Sequence, residues 1–466
     1  MQAKSHPRGW TAEANWPRVI KWLLVIMVAY ALIGNFLVNH PFAFYTARGT
    51  SLNYSRIFFM HGLMVGFAGL TGLTVSQAFG VRSNLKRWTF YLTIAAVLIG
   101  VTGGAINRSM VHKITLWYQI LSMFALDVIF ILLVIGLWLA GRGHRRTKAE
   151  WIGLLAAGSA LIAGLFGDLV GFILDFGGWP GIQVWYAHKV GYTLAEWQDA
   201  LLRTHSDMMV VSVLTLLIAV ANYSYGRQLT GWAKRVRTIG EWFLLAGIVC
   251  TLAIYLVAGL GGSHLQIPHI FTERGFFRPR GQSVAGIDLG DFVIGALTFV
   301  GALLTSGAAA FGRHEPGQEL SRRARVTARG IFTTMVCIYL AVGGLGFLEE
   351  YRADLYNSDV ATTPLGDYGF IFRLLHVDVC LLLFPALMLV MLLASRSLAV
   401  KQVERLQLIL RLGIVLTFIG ALIFMVVNYH TFGPGSWVLA LGIVIVLVGI
   451  LYYLFMVDRD EAREQK

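Results

Sequence analysis

Twelve runs of apolar residues, each near the length of a membrane span, punctuate the chain. They lie at 19–39, 57–80, 88–107, 116–140, 151–174, 200–225, 240–260, 289–312, 328–348, 370–395, 406–428 and 436–456. About 20 residues of helix cross the hydrocarbon of a bilayer. None of the runs alternates apolar and polar residues as a barrel strand does. The pattern predicts an all-α polytopic membrane protein of twelve transmembrane helices. The longest connections, 175–199, 261–288 and 349–369, leave no room for a soluble domain. Residues 1–466 are therefore expected to form a single twelve-helix transmembrane domain.

Composition agrees. Hydrophobic residues make up 57% of the chain, charged residues only 14%, and the mean hydropathy is +0.67. A soluble domain is about a quarter charged. These values exclude a cytosolic globular enzyme, a disordered chain and a secreted disulfide scaffold. The net charge of +13 does not indicate nucleic acid, because the excess sits in short loops between apolar runs. The N-terminal flank, the even-numbered loops and the C-terminal tail carry 24 Lys and Arg, against 9 in the odd-numbered loops. Cytoplasmic loops are the Lys- and Arg-rich ones, so both termini are expected in the cytoplasm. The odd-numbered loops carry acids such as Glu349, Glu350, Asp354, Asp359 and Asp367. A prokaryotic inner (cytoplasmic) membrane fits this layout. Cys250, Cys337 and Cys380 lie inside apolar runs with no paired spacing, as small core residues do. No Cys-x-x-Cys-His for covalent haem attachment occurs.

This orientation gives the histidines meaning. His6, His144 and His314 fall on the basic, inner side, and the other nine fall outside or in the outer leaflet. Four of the nine belong to spans: His61 in the second, His205 in the sixth, His264 just past the seventh and His376 in the tenth. A rise of about 1.5 Å per residue puts them within roughly 10 Å of one depth. Spans 2, 6 and 10 each open on an Arg followed by a His: Arg56 and His61, Arg203 and His205, Arg373 and His376. Two continue as His-x-Asp, at His205-Ser206-Asp207 and His376-Val377-Asp378. The period of four spans suggests three four-helix units around a pseudo-threefold axis. Snorkelling to the interface is the plain reading of any one such His. Four at one depth point to a metal or haem held between facing helices. Asp127 and Asp168 lie deeper in spans 4 and 5. They are candidates for proton or cation transfer, or for a local hydrogen bond.

The arrangement resembles the catalytic subunit of the haem-copper oxidase superfamily, closest to the cbb-type oxidases and the nitric oxide reductase large subunit. Four short stretches carry the resemblance. They are Arg56-Ile57-Phe58-Phe59-Met60-His61-Gly62; Gln198-Asp199-Ala200 before His205; Ile254-Tyr255-Leu256-Val257-Ala258-Gly259 with Ser263-His264-Leu265; and His376-Val377-Asp378. The family's paired His-His is here Ser263-His264, and its His-x-His is His376-Val377-Asp378. The resemblance implies haem b, one or two per chain, with copper or non-haem iron beside it. By the family pattern His61 and His376 bind haem, and Arg373 balances its propionates. His205 and His264 bind the second metal, with His269 as a further ligand. Asp207 is a carboxylate ligand and Tyr255 a redox tyrosine. Asp378 stands where the family has its second His, so His376 either serves the high-spin haem or pairs with His61 on a low-spin one. The implied function is a membrane oxidoreductase of the respiratory chain that reduces a small gas such as oxygen or nitric oxide. Electrons would come from quinol or from a partner subunit carrying haem c or copper. Two other readings stand beside it. One is a degenerate electron-transfer or scaffold subunit with one haem or none; the other is a twelve-helix secondary transporter.

Overall fold

In a low-dielectric environment the backbone must satisfy its own hydrogen bonds, and long apolar runs do so by coiling into helices. The computed structural model describes residues 19–27, 30, 50–106, 112–172, 179–189, 193–259, 285–340, 388–393, 398–427 and 434–464. Among these residues the fold is all-helical, and two loops meet at one isolated bridge between Leu229 and His314. Helix α1 covers Thr50–Ala78, α2 Ser83–Ile106, α3 His112–Ala140 and α4 Lys148–Val170. A short helix, α5, covers Pro180–Lys189. Next come α6 (Leu194–Tyr225), α7 (Gly231–Gly259), α8 (Ala285–Phe311) and α9 (Arg322–Leu340). The last two are α10 (Val400–Val427) and α11 (Pro434–Glu464). Residues 19–27 and 388–393 are helical as well.

Among the described residues, six stretches are long and apolar enough to cross a membrane: Ser83–Gly103, Trp117–Ala140, Lys148–Val170, Thr204–Tyr225, Gly231–Val257 and Val293–Phe311. They coincide with the third to eighth expected spans, and the chain is built as a membrane protein. Turn chemistry separates them. Glu150 N–H donates to Thr147 Oγ1 at 3.3 Å while Thr147 N–H donates to Glu150 Oε2 at 2.6 Å, a reciprocal box that starts α4. Gly80 and Gly143 turn the chain at φ of 68° and 93°, a region that only glycine enters readily.

Two features depart from the apolar pattern. Helix α5 lies inside the expected 175–199 connection, which has no apolar run of spanning length. Helices α7 and α11 start and end beyond the expected 240–260 and 436–456, because Ala, Lys, Arg and Glu prolong a helix past its apolar stretch.

Small residues set the packing. An added Cβ at Gly301 of α8 would lie 2.7 Å from the Leu244 nitrogen of α7, and one at Gly240 would lie 2.9 Å from the Gly301 oxygen. Helices in membranes approach through such glycines, since apolar burial gives little drive there. Helix α6 is the hub, lying against α1, α4, α5, α7, α8 and α9. Along its most apolar stretch 89% of the residues are buried, against 33% for α2.

The bundle has two distinct ends. One carries the turns at 79–82, 141–147, 226–230 and 312–321, with exposed Trp88, Trp138, Trp151, Trp232 and Trp242. The other carries the end of α4, helix α5 and the start of α6, with exposed Trp117, Trp179, Trp185 and Trp437. Paired indole belts of this kind mark the two interfaces of a bilayer.

Candidate functional site

The first end of the bundle holds a basic set of loops; the second holds acids and imidazole. At that second end α4 passes between α3 and α6, and its sequence from Ser159 to Gly167 is rich in Ser, Ala and Gly. Ser159 Oγ accepts from Ser212 Oγ at 2.8 Å, tying α4 to α6. Four residues on, the Ala163 carbonyl lies 2.9 Å from His205 Nδ1 of α6. A carbonyl only accepts, so Nδ1 carries the proton and Nε2 is the basic nitrogen of the neutral ring. Gly167 makes room for that ring, since a Cβ there would overlap His205 Nδ1 and Cε1. Gly164 does the same for Asp127 of α3, whose Oδ1 occupies the space of the missing Cβ.

Asp127 is 4% exposed, and the Asp168 carboxyl lies beside it across the α3–α4 seam. Two carboxylates that close would repel strongly as anions. Asp168 also lies within electrostatic reach of His205. The structure thus unites three residues that the sequence offers separately: two deep acids and one candidate metal ligand.

The other sequence candidates fall as follows. Tyr255 of α7 is 1% exposed, and its carbonyl accepts from Thr204 Oγ1 at 3.3 Å, one residue from His205. Asp207 is half-buried and accepts from Ser206 Oγ at 3.1 Å. Two residues on a helix are about 200° apart, so Asp207 and His205 leave α6 on different sides. His61 lies on α1, with its side chain outside the described residues. His264, His269, Arg373, His376 and Asp378 also lie outside the described residues. Among the described residues, no group of three or more His, Cys, Asp or Glu side chains is close enough to hold a metal ion.

Sequence reasoning missed the residues that build the cradle: the Ala163 carbonyl, Gly164 and Gly167. A signal was present in the spacing of Ser159, Ala163 and Gly167, small residues four apart on one helix face.

A second polar cluster closes the basic end of α6. Glu241 of α7 is 4% exposed and accepts from Asn222 Nδ2 at 2.9 Å and from Arg237 Nε at 2.9 Å. Arg237 also donates to the Gly226 carbonyl at 2.5 Å. The neighbouring turns are laced together, with Thr230 N–H donating to Arg313 O at 2.8 Å and His314 Nε2 to Tyr225 O at 3.1 Å.

Compared with known proteins, the chain matches no family model, no curated protein and no solved structure.

Proposed function

We propose that this chain is an integral-membrane haem oxidoreductase subunit with twelve spans in three four-helix units and both termini cytoplasmic. In this reading a haem and a non-haem metal lie toward the outer face of a prokaryotic inner membrane, with the basic loops inside. Helical residues occur in each of the twelve apolar runs, which supports the count. The observation that carries the reading is the His205 ring. Its Nδ1 is anchored to a backbone carbonyl, as a metal-ligating imidazole is anchored by its second nitrogen.

That geometry fits a nitrogen ligand to copper or non-haem iron; Asp207, which leaves α6 on another side, stands outside that ligand set. His264 and His269 complete the metal set. His61 and His376 would hold haem b, with Asp378 as a further ligand and Arg373 to balance the propionates. Bound there, the haem supplies a redox iron for a small gas such as oxygen or nitric oxide. The Asp127–Asp168 pair is this chain's own acidic group near His205, and Tyr255 would be the redox tyrosine. Reduction of either gas consumes protons, and a carboxyl is a local source. Electrons arrive from quinol or from a partner carrying haem c or copper.

A second reading, a proton- or cation-coupled transporter, is favoured by the same acid pair, since buried acids among spans mark ion pathways. Optical spectra of the purified protein, oxidised and dithionite-reduced, with a pyridine haemochrome assay, separate the two. Two b-type haems, one shifting with carbon monoxide, are expected. One haem insensitive to carbon monoxide would reduce the chain to an electron-transfer subunit. No haem, in protein made with ample haem supply, would overturn the oxidoreductase reading and leave transport or scaffolding.

A further inference from the structure

The basic end of the bundle carries a second built surface, independent of any cofactor. Arg146, in the turn before α4, lies with its guanidinium 4.5 Å from the centre of the Trp138 ring and 4.9 Å from that of Trp151. It also donates to the Trp138 carbonyl at 2.7 Å. Lys148, at the start of α4, sits 4.5 Å from the centre of the Trp242 ring of α7. Cations and indoles therefore alternate across α3, α4 and α7, and all three indoles face outward, 46%, 41% and 56% exposed. Gly141 is part of the construction, because a Cβ there would overlap Arg146.

Around this row stand Arg142, Arg145, Lys234 and Arg235, and no acidic side chain pairs with them among the described residues. Glu150, the carboxylate of the turn, is already held by Thr147 and by His144 at 2.9 Å. Glu241 is spent on Arg237 and Asn222. The surface is thus a cluster of uncompensated cations at the level of an indole belt. Below it the apolar side chains Ile131, Ile135 and Val249 are exposed.

We propose that this surface binds the headgroup of an anionic phospholipid. Phosphate would meet Arg146 and Lys148, with Arg145 and Lys234 as outer cations, while the acyl chains lie along the exposed residues of α3 and α7. Charge complementarity commits the site to a lipid rather than a protein: the face is cationic at headgroup height and apolar directly beneath. A zwitterionic headgroup has no net charge to offset these cations. The indoles hold the cations in place and supply the flat, amphipathic contact that such belts make with lipid.

The test uses the full chain, delipidated in mild detergent, with native mass spectrometry of added phosphatidylglycerol or phosphatidylcholine. Wild type is expected to hold phosphatidylglycerol about thirtyfold more tightly, the effect of two basic residues at a lipid surface. Arg146→Gln with Lys148→Gln should abolish that preference. Because Arg146 also braces the turn, Arg145→Gln with Lys234→Gln serves as a second pair. The side chains of those exposed residues make no hydrogen bond or ion pair with described residues, and the pair should lower the preference while leaving the unfolding temperature in phosphatidylcholine nanodiscs unchanged. Equal binding of the two lipids by wild type would overturn the proposal. So would full preference in both double variants, or displacement of the lipid by millimolar inorganic phosphate, which would make this a free-anion site.

Discussion

Helix α6 ends in polar chemistry at both termini, and the two ends are built to opposite purposes. At the Asn222 end, Glu241 accepts from Asn222 and from Arg237, and Arg237 spends a further donor on the Gly226 carbonyl. Opposite charges are matched, and the turns on either side are bonded to each other. At the His205 end, two carboxyls face each other with an imidazole in electrostatic reach and no cation among these three groups. A matched buried pair locks a structure, while like acids repel. One helix thus separates a matched ion-pair clamp from a pair of like-charged acids.

The largest expected effect breaks the clamp. Glu241→Ala leaves the Arg237 cation and the Asn222 amide without their acceptor. It should cost about 3–5 kcal/mol, read as a lowered midpoint of unfolding in detergent. The ratio of haem to folded protein should not change. A stable Glu241→Ala protein would show that the two ends of α6 do not differ in the way argued.

The opposite pattern is expected at the other end. Asp127→Asn keeps the shape of the side chain but removes the acid. If the chain is the proposed oxidoreductase, its gas-reducing turnover should fall about a hundredfold, the usual worth of a positioned proton donor. The unfolding midpoint should barely move. Full turnover in that variant would make the acid pair structural, like the Asn222 end.

Gly167→Ala sharpens the link between packing and chemistry. Its methyl group must push the His205 ring or spread α4 from α6, at a cost of about 1–3 kcal/mol. Elemental analysis should show loss of the proposed non-haem metal. Gly158→Ala on the same helix, where an added Cβ meets nothing within 4 Å, is the control and should retain metal. The smallest effect belongs to Ser212→Ala, which removes the interhelical bond to Ser159 and should cost about 0.6 kcal/mol. A change in metal content there would mean that the cradle depends on the whole α4–α6 seam.

Much of this was legible without a structure. His205 stood out because an ionisable residue at the start of an apolar run needs an explanation, and Asp127 and Asp168 stood out for the same reason. Their union did not, because each sits on a different helix and a sequence carries no interhelical register. Helix α5 was missed since Pro180–Lys189 is too short and too polar to register as a span, although Pro at a first helical position favours a start. The cation–indole row was half legible. Arg146 and Lys148 flank tryptophans in sequence, but Trp138 and Trp242 come from other helices.

The sequence by itself determined that this is an all-helical membrane protein, where its apolar runs lie, and which loops are basic. Those features follow from local composition, because a backbone in lipid has few alternatives to helix. Tertiary structure alone decided that Ala163, Gly164 and Gly167 of one helix would seat an imidazole from α6 and a carboxyl from α3. That outcome depends on rotations and offsets among three helices. It is set by which small residues let the backbones approach, and by where each polar group then finds a partner.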